Sequence, residues 1–277
     1  MTQTLPERDP ATTMTRTETR GWWSRRPWLH MFLGGLGLWV ATVVVTFATS
    51  NVNLVPTVIL LGSFLVPVAF VTYAFGHADQ VVTAQRIFTA FVYGGVLGVL
   101  GASVLEAAFL RQPSGPAYVG VGLIEEAAKL VVPAILVVFF GHRYRQSIGG
   151  GIVIGVAVGT GFAVLETMGY AFVALLQSGG NVGAAEQTLF IRGLLSPAGH
   201  AAWTGLTCWG LWRFAVEPTG KRFLGFLGMY AVAVALHTTW DGIGGRVTYA
   251  VVGVISIGLL LAGLKNAQRH DNRLPVV

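Results

Sequence analysis

Eight apolar runs, each long enough to cross ~30 Å of hydrocarbon, take up most of this chain. They fall at 28–50, 54–76, 87–109, 117–140, 149–176, 193–214, 222–244 and 246–264. Such runs predict an all-α, polytopic transmembrane helix bundle of about eight spans. Composition agrees. Only 11% of the 277 residues are Asp, Glu, Lys or Arg, against about 25% in a soluble domain. Charge this sparse cannot coat a soluble globule, so lipid must be the solvent over most of the surface. The first run is too long for a signal-peptide core and reads as a retained span. Residues 1–27 are polar and rich in Thr and Arg, which predicts a disordered cytoplasmic tail. The membrane domain is then 28–264, with a cytoplasmic tail at 265–277.

Orientation follows from the basic residues. With the N-terminus inside, the inner segments hold 14 of the 18: Arg8, Arg16, Arg20, Arg25, Arg26, Arg86, Arg143, Arg145, Arg213, Lys221, Arg222, Lys265, Arg269 and Arg273. The outer segments hold 3: Arg111, Arg192 and Arg246. Lys129 lies within a span. Both termini are therefore expected in the cytoplasm, with an outer loop at 177–190. The same placement accounts for the net charge of +6 without a nucleic-acid partner. The single cysteine, Cys208, lies in an apolar run, so no intramolecular disulfide or thiolate cluster can form.

Glycine is abundant, at 37 residues. Gly151, Gly155 and Gly159 make two overlapping GxxxG steps on the fifth run, and Gly94 and Gly98 make one on the third. This spacing predicts close helix contacts.

Four runs carry ionisable groups where they are costly. The fourth has Glu125, Glu126 and Lys129; the fifth has Phe162 and Glu166; the sixth has His200, Trp203 and Thr204; the seventh has His237, Trp240 and Asp241. One charge at the centre of a membrane helix costs about 2.5–3.5 kcal/mol even on the lenient insertion scale. Glu125 and Lys129 are four apart and share a helix face, as do His237 and Asp241. Counted from the outer ends of their runs at 1.5 Å per residue, all four sets lie roughly 10–15 Å deep. That agreement predicts one site in the outer half of the bilayer.

No serine–histidine–acid or cysteine nucleophile set is evident at this depth. Carboxylates and histidines suit activation of a water, by a glutamate general base or by a bound metal. Blander readings exist for each part. Glu125 with Lys129 could be a structural ion pair, and a membrane histidine is often a helix-to-helix hydrogen-bond donor. Glu106, near Arg111, reads as interfacial. Arg192 reads as an interface anchor, or as a group that orients a substrate carbonyl or a site carboxylate.

Glu125-Glu126-x-x-Lys129, Gly161-Phe162-x-x-x-Glu166 with Tyr170, Arg192 ahead of His200-Ala-x-Trp203-Thr204, and His237-x-x-Trp240-Asp241 together resemble the PrsW family of intramembrane proteases. That family is similar to the CAAX-protease and bacteriocin-processing membrane proteases. The motif core is 117–245, close to half of the chain. Thr167 departs from the asparagine usual in that pattern. The resemblance implies a multi-pass protease of a bacterial cell membrane. It would cut membrane-anchored proteins near the extracytoplasmic side, with an anti-sigma-factor-like substrate and the lipid bilayer as its partners. Metal dependence is the family's usual label, whereas the related group works by glutamate-activated water. On this reading Glu126 is the general base, or a zinc ligand with Glu166, His200 and His237 if metal is bound. Glu125 and Lys129 orient Glu126. The histidines otherwise stabilise the oxyanion, Glu166 then holds a histidine in its tautomer, and Asp241 does the same for His237. Arg192, Phe162, Trp203 and Trp240 would meet the substrate.

Two rival readings keep the same residues. A proton- or cation-coupled transporter also places carboxylates and histidines in mid-bilayer, though no paired interrupted helices or inverted halves are evident. A non-catalytic membrane scaffold would keep the cluster for packing.

Overall fold

A computed structural model describes residues 26–76, 82–110, 114–144 and 147–271. Most of the 1–27 tail and the residues after 271 lie outside it. The described residues are helical, with no strand among them. The main elements are α1 (Pro27–Thr49), α2 (Val55–Gly76), α3 (Ala84–Phe109), α4 (Tyr118–Phe139), α5 (Ile148–Gln177), α6 (Val182–Leu195), α7 (His200–Val216), α8 (Gly220–Ile243) and α9 (Arg246–Asp271). Six of these, α1, α2, α3, α5, α8 and α9, are long and apolar enough to cross a membrane. The chain is thus an all-α polytopic bundle. α4 has the length at 22 residues, but Glu125, Glu126 and Lys129 interrupt its apolar run. α7 has only 17 residues.

α5 is the axis. Its length from Ile148 to Val164 is buried, and it packs against α2, α3, α4, α6, α7 and α9. The expected glycine ridge runs along α7. A Cβ on Gly159 would collide with the His200 carbonyl, and one on Gly155 would lie 2.6 Å from both the Thr204 carbonyl and Cys208 Cβ. Only hydrogen side chains allow this approach. Across α5 the backbone of Gly161 meets Gly95 of α3, just past a π turn at Ala90–Gly94.

Three expectations change. The sixth run is not one helix from 193 to 214. α6 ends at Leu195, a 3-10 turn spans Ser196–Ala198, and α7 begins at His200. Pro197 supplies the break, since it has no N–H and disfavours helical backbone before it. His200 therefore opens its helix instead of lying seven residues within it. The expected outer loop at 177–190 is largely the start of α6, capped by the Asn181 side chain accepting from Gly183 N at 3.0 Å. At the other end of the bundle, α9 runs on to Asp271. There Asp271 accepts hydrogen bonds from Ser147 Oγ (2.9 Å), Ile148 N (3.1 Å) and Gly149 N (2.9 Å). Part of the expected C-terminal tail is thus helix, and its carboxylate caps α5 where the helix dipole favours an anion.

Candidate active site

Lys129 is the hub of the polar cluster. It is fully buried on α4, and an ammonium has three protons to donate. It spends them on Glu126 Oε1 (2.8 Å), Glu125 Oε2 (3.2 Å) and His200 Nδ1 (2.7 Å). The face of Phe162 from α5 lies 4.2 Å from Nζ, a cation–π contact. Because Nδ1 of His200 accepts, its Nε2 carries the proton and meets Glu166 Oε2 of α5 at 2.7 Å. Glu166 Oε2 in turn pairs with Arg192 of α6 at 2.8 Å, and the Arg192 guanidinium lies 3.9 Å over the Tyr170 ring.

His237 comes in from α8. Its Nδ1 is 2.9 Å from Glu126 Oε1, and its Nε2 is 3.1 Å from Asp241 Oδ2 and 3.6 Å from Glu125 Oε2. Trp203 stacks on its ring at 4.7 Å and is itself anchored by donating from Nε1 to Ser256 Oγ at 2.8 Å. The two imidazoles stand 5.1 Å apart. All seven residues expected to do chemistry, Glu125, Glu126, Lys129, Glu166, His200, His237 and Asp241, thus form one connected network across α4, α5, α7 and α8.

The details depart from expectation in three places. Spacing assigned Lys129 to Glu125 and left Glu126 free; Lys129 reaches both and is nearer to Glu126, because the i,i+3 position also shares the helix face. Phe162, expected at the substrate, is buried and gives its ring to Lys129. The expected ligand set Glu126, Glu166, His200 and His237 does not converge as a group. Glu166 stands beyond the far nitrogen of His200, and Glu126 lies on Nδ1 of His237. Instead Glu125, His200 and His237 offer ligand atoms that all lie within 4.8 Å of one another. Glu106 is half-buried on α3, and its expected partner Arg111 lies outside the described residues.

Two histidines and a carboxylate are a known zinc donor set, so this group could hold a metal ion. Charge supports the fit. Glu125, Glu126, Glu166 and Asp241 outnumber Lys129 and Arg192 by two when both imidazoles are neutral. A divalent cation, or two further protons within the network, would balance the cluster in a medium where net charge is expensive. The Glu126 Oε2 atom is buried and has no hydrogen-bond partner among the described residues, an acceptor left over for a water or a donor.

A cavity of about 70 Å³ opens beside His200, lined by Arg192, Trp203 and Trp240, and also by Thr167, Ser196 and Tyr249. Tyr249 and Ser196 carried no signal in the sequence. They reach the site only through the α8–α9 turn and the Pro197 break.

Comparison with curated proteins and with solved structures finds no match. Residues 83–264, about two thirds of the chain, match the PrsW family intramembrane metalloprotease. The match contains every member of the network, from Glu125 on α4 to Asp241 on α8, and the six apolar spans give that network a membrane to work in. The chain therefore belongs to the PrsW family of intramembrane metalloproteases and is a multi-pass membrane protease.

Proposed function

We propose that the protein hydrolyses peptide bonds of membrane-anchored proteins with a water activated by Glu125, held in place by the Lys129–Glu126 pair. One observation carries the choice of glutamate. Glu125 Oε2 lies between His237 Nε2 (3.6 Å) and His200 Nδ1 (3.9 Å) and makes the longer contact to Lys129. The Glu126 side chain is enclosed, 1% exposed against 9% for Glu125, and accepts two short hydrogen bonds. A base must reach a water that also reaches the substrate; the free oxygen of Glu126, Oε2, is buried, whereas Glu125 lies between the two imidazoles. Glu126 then positions Lys129 and His237. Glu166 holds His200 in the tautomer with its proton on Nε2, and Arg192 steadies Glu166. Peptide enters by the cavity at Arg192, Trp240 and Tyr249. His237 faces the carbonyl oxygen as it gains charge, His200 keeps Lys129 in place through Nδ1, and Glu125 carries the water proton to the leaving amine.

If zinc is resident, Glu125, His200 and His237 would hold it, Glu125 would then serve as a ligand in place of its role as base, and the metal would supply a Lewis acid for the scissile carbonyl. Replacing His200 or His237 with Ala should then abolish both zinc retention and cleavage. If the imidazoles act without metal, cleavage drops while a chelator leaves the parent enzyme active. A fully active His200→Ala variant would contradict both versions.

The decisive comparison is Glu125→Gln against Glu126→Gln, reading cleavage rate beside thermal stability in detergent. Glu125→Gln should lose ~10²–10⁴-fold in rate and keep its melting temperature. Glu126→Gln should lower stability, since it weakens a buried link to Lys129 and His237. A dead but stable Glu126→Gln with a near-normal Glu125→Gln would hand the base role to Glu126.

The proposal extends to placement. The 14 to 3 division of basic residues favours both termini in the cytoplasm of a bacterial cell and the site in the outer half of its membrane. Ser178 is exposed at the end of α5, while Cys208 is buried. A cysteine placed at 178 should therefore label from outside without permeabilisation, and labelling only after permeabilisation would reverse the orientation. By resemblance, an anti-sigma-factor-like membrane protein is the first substrate to try. A cleaved substrate also decides against the transporter and scaffold readings.

A further inference from the structure

A second polar site lies at the opposite end of the α7–α8 hairpin from the catalytic cluster. Between the last turn of α7 and the first turns of α8 is a cavity of about 570 Å³, within the 300–1,000 Å³ range of ligand pockets. Arg213, Lys221 and Arg222 line it at the level of the helix ends. Gly210, Phe226 and Met229 line it toward the membrane interior. One carboxylate, Glu217, shares the rim, but it is occupied. It pairs with Arg222 at 2.9 Å and His270 at 3.2 Å, and the bonds from His270 and Arg222 hold it below the usual carboxylate range. Neither Arg213 nor Lys221 makes an ion pair with a carboxylate among the described residues, and Glu217 acts on Arg213 only from a distance. Arg213 rests its guanidinium 5.4 Å over the Trp209 ring, which fixes its place without neutralising it. A Cβ on Gly225 would meet nothing within 4 Å, so the space is open from the α8 side.

We propose that this cavity binds the headgroup of an anionic phospholipid, with Arg213 and Lys221 on the phosphate and an acyl chain running along Gly210, Phe226 and Met229. The commitment to a lipid comes from the two-part lining. A free phosphate would use the cations and leave the apolar half dry and unused. A lipid fills both, and the helix ends of a multi-pass protein lie at the depth of the headgroups. The site matters for the hairpin that carries the catalytic imidazoles. His200 opens α7 and Arg213 closes it, about 20 Å away at 1.5 Å per residue. A lipid held between α7 and α8 clamps the two helices that present His200 and His237 to each other.

The test uses the full chain in mild detergent, with dioleoylphosphatidylglycerol, dioleoylphosphatidylcholine or glycerol phosphate added. Retained molecules are counted by native mass spectrometry, and the melting temperature is read alongside. Phosphatidylglycerol should be retained and should raise the melting temperature, and the other two should do neither. Arg213→Gln and Lys221→Gln should each weaken phosphatidylglycerol binding about five-fold. Gly225→Leu fills the cavity and keeps every charge, so it should abolish the lipid-dependent stabilisation even if a charge variant folds poorly. Equal retention of the choline lipid, or unchanged binding in Gly225→Leu, would overturn the site. Glycerol phosphate binding as well as the whole lipid would replace the lipid with a soluble phosphate ligand.

Discussion

α1 and α5 are both long apolar helices that contain glycines, and they have opposite surroundings. α5 is enclosed by protein over most of its length. α1 has Thr46 as its one buried residue among those described, and Leu38, Val44 and Phe47 on it are exposed. Hydropathy therefore tells that a helix enters the membrane and not what it meets there. Spacing tells more. Gly151, Gly155 and Gly159 repeat every four residues and make one smooth face that α7 occupies. Gly34 and Gly37 of α1 have no neighbour within 4 Å of a built Cβ. The family match divides the molecule in the same place: 83–264 includes α5 and the whole polar network, while α1 and α2 precede it.

The sharpest way to break this contrast is to make one substitution in both regions. Gly159→Leu drives a side chain into the His200 carbonyl and must part α5 from α7. We expect loss of all cleavage and a destabilisation at or above the ~1–3 kcal/mol typical of overpacking. Gly37→Leu should leave cleavage and melting temperature unchanged, because its Cβ meets open space. A tolerated Gly159→Leu would mean that the ridge does not set the position of His200.

Within the enclosed region, the comparison sharpens between residues that touch the reacting atoms and those that hold them. Arg192→Gln removes the 2.8 Å pair with Glu166 and leaves His200 and both α4 glutamates in place. An outer partner of this kind is typically worth 10–100-fold. Cleavage should fall by about that factor, with a small change in melting temperature and with recovery in Arg192→Lys. Loss confined to KM, with kcat intact, would instead place Arg192 on the substrate.

Much of this was legible before any fold was known. Apart from the sixth run and the end of the last, the helices fall within a few residues of the apolar runs, and the seven polar residues of the network all stand out by their cost in the membrane. Three details are not legible. Glu125 and Glu126 are neighbours with the same chemistry, and which of them is enclosed depends on how His237 and Lys129 arrive from other elements. The Pro197 break is hidden because apolar residues flank it on both sides, so a hydropathy window reads straight through. Asp271 lies beyond the last apolar run, where hydropathy marks only a tail. Its role exists only because α9 returns it to the first turn of α5.

That contact gives a smaller test, at the end of the bundle away from the catalytic network. Asp271→Ala removes three hydrogen bonds at the start of α5. Losing an N-terminal cap costs about 0.5–2 kcal/mol, so the melting temperature should fall by a few degrees. Cleavage per folded molecule should stay constant. Ending the chain at residue 264 should cost at least as much, which tests whether the membrane domain stops there or continues to Asp271.

The smallest effect belongs to the α1–α2 hairpin. Trp39 donates from Nε1 to the Val58 carbonyl of α2 at 3.2 Å and packs beside Val58 and Leu189. Trp39→Phe keeps the ring and most of the packing and removes the donor. The carbonyl it leaves lies within a helix and keeps its intrahelical bond, so no acceptor is stranded in lipid. Hydrogen bonds between membrane helices average only ~0.6 kcal/mol, because the alternative state in the membrane finds partners too. Trp39→Phe should therefore shift the melting temperature by a degree or two and leave kcat and KM unchanged. A clear fall in kcat would break the contrast between the two regions. It would mean that α2, which packs on both α5 and α6, transmits the position of α1 to Glu166 and Arg192, and that the catalytic unit begins before residue 83.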